Sequence, residues 1–146
     1  MENWVLFGIL AAVAFGLSTL LNKVASGPGY FGLEPKTTGL LVGVGIMLTF
    51  AAYFLLQGGV AMPQNNAATL TAMAAGTCWA IGTIMVLKAF AGGADASRLT
   101  PIFNMNTLVV VGLGILLLKE LPTQPEMIRV VSGAVFVVVG GILVST

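Results

Sequence analysis

The sequence predicts an all-α integral membrane protein with five transmembrane helices. Three observations carry that expectation. First, 58% of its 146 residues are hydrophobic and only 8% are charged, where a soluble domain carries roughly 25% charged residues. Second, the charges are clustered. Twenty uncharged residues separate Glu2 from Lys23, 51 separate Lys36 from Lys88, 20 separate Arg98 from Lys119, and 17 follow Arg129. A spanning helix needs about 20 mostly apolar residues at 1.5 Å rise each. Third, these runs lack the short apolar–polar alternation of a membrane β-barrel. The same composition excludes a disordered chain. The 19 glycines follow no three-residue period, which excludes a collagen-like one.

The first span is expected at 4–22. It does not read as a signal peptide, because no Lys or Arg precedes residue 23 and such peptides open on a basic region. Gly27-Pro28-Gly29 and Glu34-Pro35 mark the first connection, and the second span is expected at 37–57. The 51-residue run is too long for one helix. It breaks at Gly58-Gly59 and at Met62-Pro63-Gln64-Asn65-Asn66, where proline blocks continuation and the Asn pair supplies a cap. The third span follows at 67–91, closed by Gly92-Gly93. Thr100-Pro101 suits the cap and first turn of a fourth span at 101–118. The fifth is expected at 127–144, near the lower length limit. Connections of about ten residues leave no room between spans for a soluble domain, so residues 1–146 read as one five-helix membrane domain.

Several chemistries are excluded by supply. There is no His and a single Cys. A zinc site needs about four N or S ligands, and His-assisted nucleophiles are impossible. No catalytic constellation is visible, so the chain is not read as an enzyme, and no cofactor is expected. Cys78 lies in an apolar run and reads as a small buried hydrophobe. The net charge of +1 gives no basic field for nucleic acid. The lipid bilayer is the first partner.

Five spans place the two termini on opposite faces. The face shared by the first and third connections carries Lys23, Lys36, Lys88 and Arg98, and the other carries Lys119 and Arg129. The positive-inside rule favours a cytoplasmic C-terminus, but only by four charges to two. That thin bias permits both orientations, and hence an antiparallel dimer. Small residues at four-residue spacing allow close helix packing: Gly8, Ala12 and Gly16; Gly39 and Gly43; Ala72, Gly76 and Ala80.

Polar side chains in hydrocarbon turn towards a bundle interior or bond their own helix. Ser18 and Asn22 share one face of the first span, with Phe15 nearby; Trp79 and Thr83 share one of the third; Asn104 and Thr107 share one of the fourth, with Asn106 beside them. Two readings follow. The hydroxyls can be satisfied locally, or Phe15, Ser18, Asn22, Trp79, Thr83, Asn104 and Thr107 line a cavity among the first, third and fourth spans. Asn104 is the more informative, because an unpaired amide is costly to bury. No carboxylate lies inside any run. Proton coupling through a buried acid, as in the four-helix multidrug exporters, is therefore unsupported, and neither is there a filter-like loop for a channel.

These segments, in their order, resemble one repeat of the EamA-type drug/metabolite transporter superfamily over essentially the whole chain. Phe15-Gly16-Leu17-Ser18 with Lys23 resembles its first helix, and Ala75-Gly76 through Lys88-Ala89 its third. Leu99-Thr100-Pro101 and Leu118-Lys119-Glu120 resemble its Pro-opened fourth helix and the Leu-Gly-Glu closing it. Gly133 and Val139-Gly140-Gly141 resemble its last helix. Lys119 stands where that family usually has glycine, and Glu120 reads as a structural end-of-helix residue. Members usually carry ten helices in two inverted repeats, so the resemblance implies that this chain is one half of an inverted-repeat ten-helix transporter. It further implies an antiparallel homodimer in a prokaryotic plasma membrane, moving a small organic metabolite by alternating access. The rival expectation is a non-transporting membrane subunit that pairs with a different polytopic protein.

Cysteines engineered at both ends of the chain and labelled from outside intact cells test the charge balance. Both ends are expected to label in part of the population. Labelling confined to one end in every copy contradicts dual orientation.

Overall fold

The computed structural model describes residues 3–59, 65–119 and 123–145. It is helical throughout, with no strand among the described residues: α1 (Asn3–Ser26), α2 (Pro35–Leu56), α3 (Asn66–Ala91), α4 (Ala96–Phe103), α5 (Asn106–Leu116) and α6 (Gln124–Ser145). Among the described residues, five segments are long and apolar enough to cross a membrane, with α4 and α5 together forming the fourth. The fold is therefore all-α with five membrane spans.

The helix ends show how each span stops. At the end of α1, the Gly27 N–H donates to the Lys23 carbonyl. The following loop turns back so that Phe31 N–H reaches Val24 O at 3.1 Å and Leu33 N–H reaches Ala25 O at 2.8 Å. Terminal carbonyls that have no partner within the helix are thereby satisfied. α2 opens with Pro35 directly after Glu34, two residues before the expected start, because proline is preorganised for the first turn. It closes on a glycine cap. Gly58 takes φ 87°, and the Gly59 N–H reaches Phe54 O at 3.0 Å, the six-to-one bond of a Schellman end. Of the expected break after α2, Met62-Pro63-Gln64 lies outside the described residues. Asn65 caps α3, its Oδ1 accepting from Ala67 N at 2.9 Å and Ala68 N at 3.4 Å. Gly93, at φ 95°, follows its end.

The fourth span departs from the expected 101–118. It begins five residues earlier, at Ala96, and Pro101 lies inside α4 rather than at its first position. The span is also interrupted at Asn104–Met105. There Met105 N–H donates to Ile102 O, Thr107 N–H to Asn104 O and Leu108 N–H to Met105 O, all three residues back, at 3.0–3.1 Å. These tight turns replace the four-back ladder of an α-helix. The fifth span also starts earlier than residue 127. Thr123 N–H and Oγ1 both donate to Glu126 Oε2, at 2.9 and 2.8 Å, half of a Thr-x-x-Glu capping box.

The chain divides into two compact units, Met1–Gly93 and Ala94–Thr146. In the first, buried residues gather at one end of the three helices: Ser26 from α1, Thr38 from α2, and Leu87 and Phe90 from α3. Lys23 Nζ sits 5.7 Å from the Phe90 ring centroid, a cation–π approach. Gly39 of α2 lies against α3, where an added Cβ would stand 3.6 Å from Leu87 Cδ1. In the second unit, α6 is the common support, with α4 and α5 both against it. The closest approach joins Gly141 of α6 to the Pro101 carbonyl, where a Cβ would come within 3.0 Å. Glycine is thus needed at 141 to let the two backbones meet.

Lys119 is the only non-glycine with positive φ among the described residues, at 55°. A side chain in this left-handed region costs about 1–2 kcal/mol. Lys119→Gly should raise stability by about 0.5–1 kcal/mol after allowing for glycine's freer unfolded chain. Gly141→Ala should lower it through the clash with Pro101, despite alanine's better helix propensity. Thermal midpoints in detergent check both, and a stabilising Gly141→Ala contradicts the close α4–α6 contact.

Candidate functional site

Among the residues expected to line a path, those of the first unit lie on α1 and α3, which pack together. Ser18 and Asn22 on α1 and Thr83 on α3 are half-buried, whereas Phe15 and Trp79 are 63% and 46% exposed. None of the five is buried within this unit. All five lie on these two helices, with the rings of Phe15 and Trp79 outward.

The hydroxyls answer the question of local satisfaction. Thr83 Oγ1 donates to Trp79 O at 3.0 Å, Thr77 Oγ1 to Met73 O at 3.0 Å, and Thr19 Oγ1 to Phe15 O at 2.9 Å. Thr49 Oγ1 donates likewise to Gly45 O at 2.8 Å. Their protons are committed to their own helices, as expected for hydroxyls surrounded by hydrocarbon. A remaining lone pair can still accept from a solute. The amide of Asn22 differs, because no backbone bond fully occupies two donors and an acceptor. Asn22 contributes its main-chain carbonyl to Ser26 Oγ at 2.7 Å.

In the second unit, Asn104 and Thr107 meet directly. Thr107 Oγ1 and N–H both donate to the Asn104 carbonyl, at 3.0 and 3.1 Å, and both side chains are exposed. Sequence reasoning placed these residues inside one continuous helix. They stand instead at the break, with Asn106 beginning α5. The feature it missed is the interruption itself. An Asn-x-Asn-Thr run three residues after a proline carried the signal, since Asn and Thr offer the backbone alternatives to the helix ladder.

Nothing in the site resembles a metal centre: no cluster of three or more His, Cys, Asp or Glu occurs among the described residues. Cys78 is exposed rather than buried, so its expected place in a packed interior is not met within this chain. Glu120, read as an end-of-helix residue, lies outside the described residues.

No family model matches the chain, and no solved structure matches it. Three curated proteins do. A Listeria innocua protein named as a candidate sugar uptake protein is 33% identical over 137 residues, covering 86% of this chain and 46% of its own. A Listeria monocytogenes protein with the same kind of name is 32% identical, with the same coverage. An uncharacterised Methanocaldococcus jannaschii protein is 26% identical over 147 residues, covering 99% of this chain and 98% of its own. The chain therefore spans about half the length of the two Listeria proteins, and nearly all of the archaeal one.

Proposed function

We propose that this chain is one five-helix half of a membrane transporter for small polyhydroxylated solutes, with sugars as the leading class. One observation carries the reading: a chain of five apolar spans aligns over 86% of itself, yet over only 46% of proteins named for sugar uptake. The rest of those proteins' length has no counterpart within these 146 residues. A second copy in inverted orientation is the simplest source, because an odd number of spans and a four-to-two charge balance allow either orientation. The ordered Gly-x-Ser, Thr-Pro and Leu-Lys-Glu segments support placing the chain with the EamA-type repeats. In that arrangement solute binds near the midplane between repeats, and rocking exposes it to alternate sides.

The residues proposed to line the path fit this role chemically. Trp79 and Phe15 offer ring faces against which a sugar's C–H surface can lie. Asn22 and Asn104 offer amides that both donate and accept, as neighbouring hydroxyls require. Thr83 and Thr107, whose protons are already committed, serve as acceptors. A foreign five-helix partner could supply the second half equally well in geometry. Stoichiometric co-purification of a different polytopic protein would favour that second reading.

Purified protein in proteoliposomes, given radiolabelled D-glucose and D-ribose, tests the proposal. Saturable uptake above that of empty liposomes is expected. Trp79→Ala and Asn104→Ala should each reduce it about tenfold, the loss of roughly 1.4 kcal/mol of binding, with unchanged expression. Uptake equal to empty liposomes for both sugars contradicts the substrate class, and wild-type uptake by both variants contradicts the site.

A further inference from the structure

We propose that the Asn104–Met105 break is a hinge, about which α5 moves against an α4–α6 pair that stays fixed. The gating meaning of this hinge rests on the transporter reading above; the hinge itself does not.

Two features weaken the fourth span over a few residues. Pro101 lacks the N–H that would bond the Ser97 carbonyl four residues back. Farther on, the Met105 N–H reaches Ile102 O instead of Pro101 O. The Asn104 carbonyl accepts from both N–H and Oγ1 of Thr107, which draws the backbone into a tight turn where the ladder would otherwise run on. The break falls inside the apolar Ala96–Leu116 segment rather than at its edge. In hydrocarbon an interrupted ladder is tolerated only where other groups re-satisfy the backbone, and the three-back bonds do so here without restoring a rigid rod.

The two sides of the break are held differently. Towards the N-terminus, the Pro101 carbonyl is pressed on Gly141 of α6, where an added Cβ would lie 3.0 Å away, with Met105 Cγ at 3.7 Å. Towards the C-terminus, α5 also lies along α6, without such an approach at Gly112 of α5 or Gly133 of α6, where a Cβ would meet nothing within 4 Å; Ala134 of α6 is buried. The outer face of α5 carries Val109, Val110, Leu113 and Leu116, all exposed. A backbone contact on one side and an arm with an exposed outer face on the other is the arrangement of a hinge. An arm of eleven residues is about 16 Å long, so a bend of about 20° displaces its far end by roughly 5–6 Å.

Distance measurement between spin labels tests this directly. Labels are placed on Leu116→Cys of α5 and Phe136→Cys of α6 in a Cys78→Ser background, in lipid nanodiscs, and diluted with unlabelled protein so that only distances within one chain are read. The unaltered span should give a distribution broadened or split by about 5 Å. Pro101→Ala with Asn106→Leu restores the donor and a helix former at the break and should narrow it to one population; each single change guards against misfolding of the pair. A single narrow distribution in the unaltered span overturns the hinge, as does equal breadth with and without the two changes. A protein that shows the hinge but moves neither sugar would overturn the transporter reading alone.

Discussion

In hydrocarbon no water is present to receive a backbone N–H or C=O, so each must be satisfied within the chain. Most of this structure follows from that constraint. It dictates helices, and it explains the care taken at their ends. Val24 and Ala25 receive amides from the loop beyond α1, Phe54 receives one from Gly59, and Asn65 caps α3 with its own side chain. It also explains why the threonine hydroxyls at 19, 49, 77 and 83 all turn back to carbonyls four residues earlier. The polar inventory of the spans is thus largely self-contained. Of Asn22 and Asn104, only the main-chain carbonyls take part in these side-chain bonds.

A second consequence concerns what a single chain leaves undone. Its apolar side chains point outward along nearly the whole of α1 and α2, and buried residues are confined to small groups. Lipid can cover such surfaces, being as apolar as leucine. A second five-helix unit, as proposed above, would cover part of them. The archaeal protein of matching length is a case where a chain of this size stands alone in sequence.

The five spans were legible from charge spacing, because the cost of a charge in hydrocarbon overrides every local preference. The connections were legible in part. Asn65 and Gly92-Gly93 announced themselves through cap chemistry, while Thr123 was overlooked although Thr-Gln-Pro-Glu spells a capping box. The fourth span was the least legible. Thr100-Pro101 has the form of a helix start, yet Ala96-Ser97-Arg98-Leu99 already provides a helical turn, and proline then sits inside it. Competition between these two starts cannot be decided by pattern; the contact with Gly141, 40 residues away, stands where it was decided. The candidate site was legible only as a set of polar positions. Which amides remain available depends on hydrogen bonds that spacing alone does not reveal.

In the proposed working unit, two such chains are inverted relative to each other. An odd number of spans makes this testable by covalent linkage. A short soluble linker from the C-terminus of one copy to the N-terminus of the next forces inversion, because the termini of each copy lie on opposite faces. Inserting one additional spanning helix in the linker forces a parallel arrangement instead. Sugar uptake by proteoliposomes containing each fused pair, confirmed by light scattering to be a single fused chain, is the decisive measurement. The account predicts uptake by the directly joined pair and none by the pair with the extra span. Uptake by the parallel pair, with none by the inverted one, would contradict it.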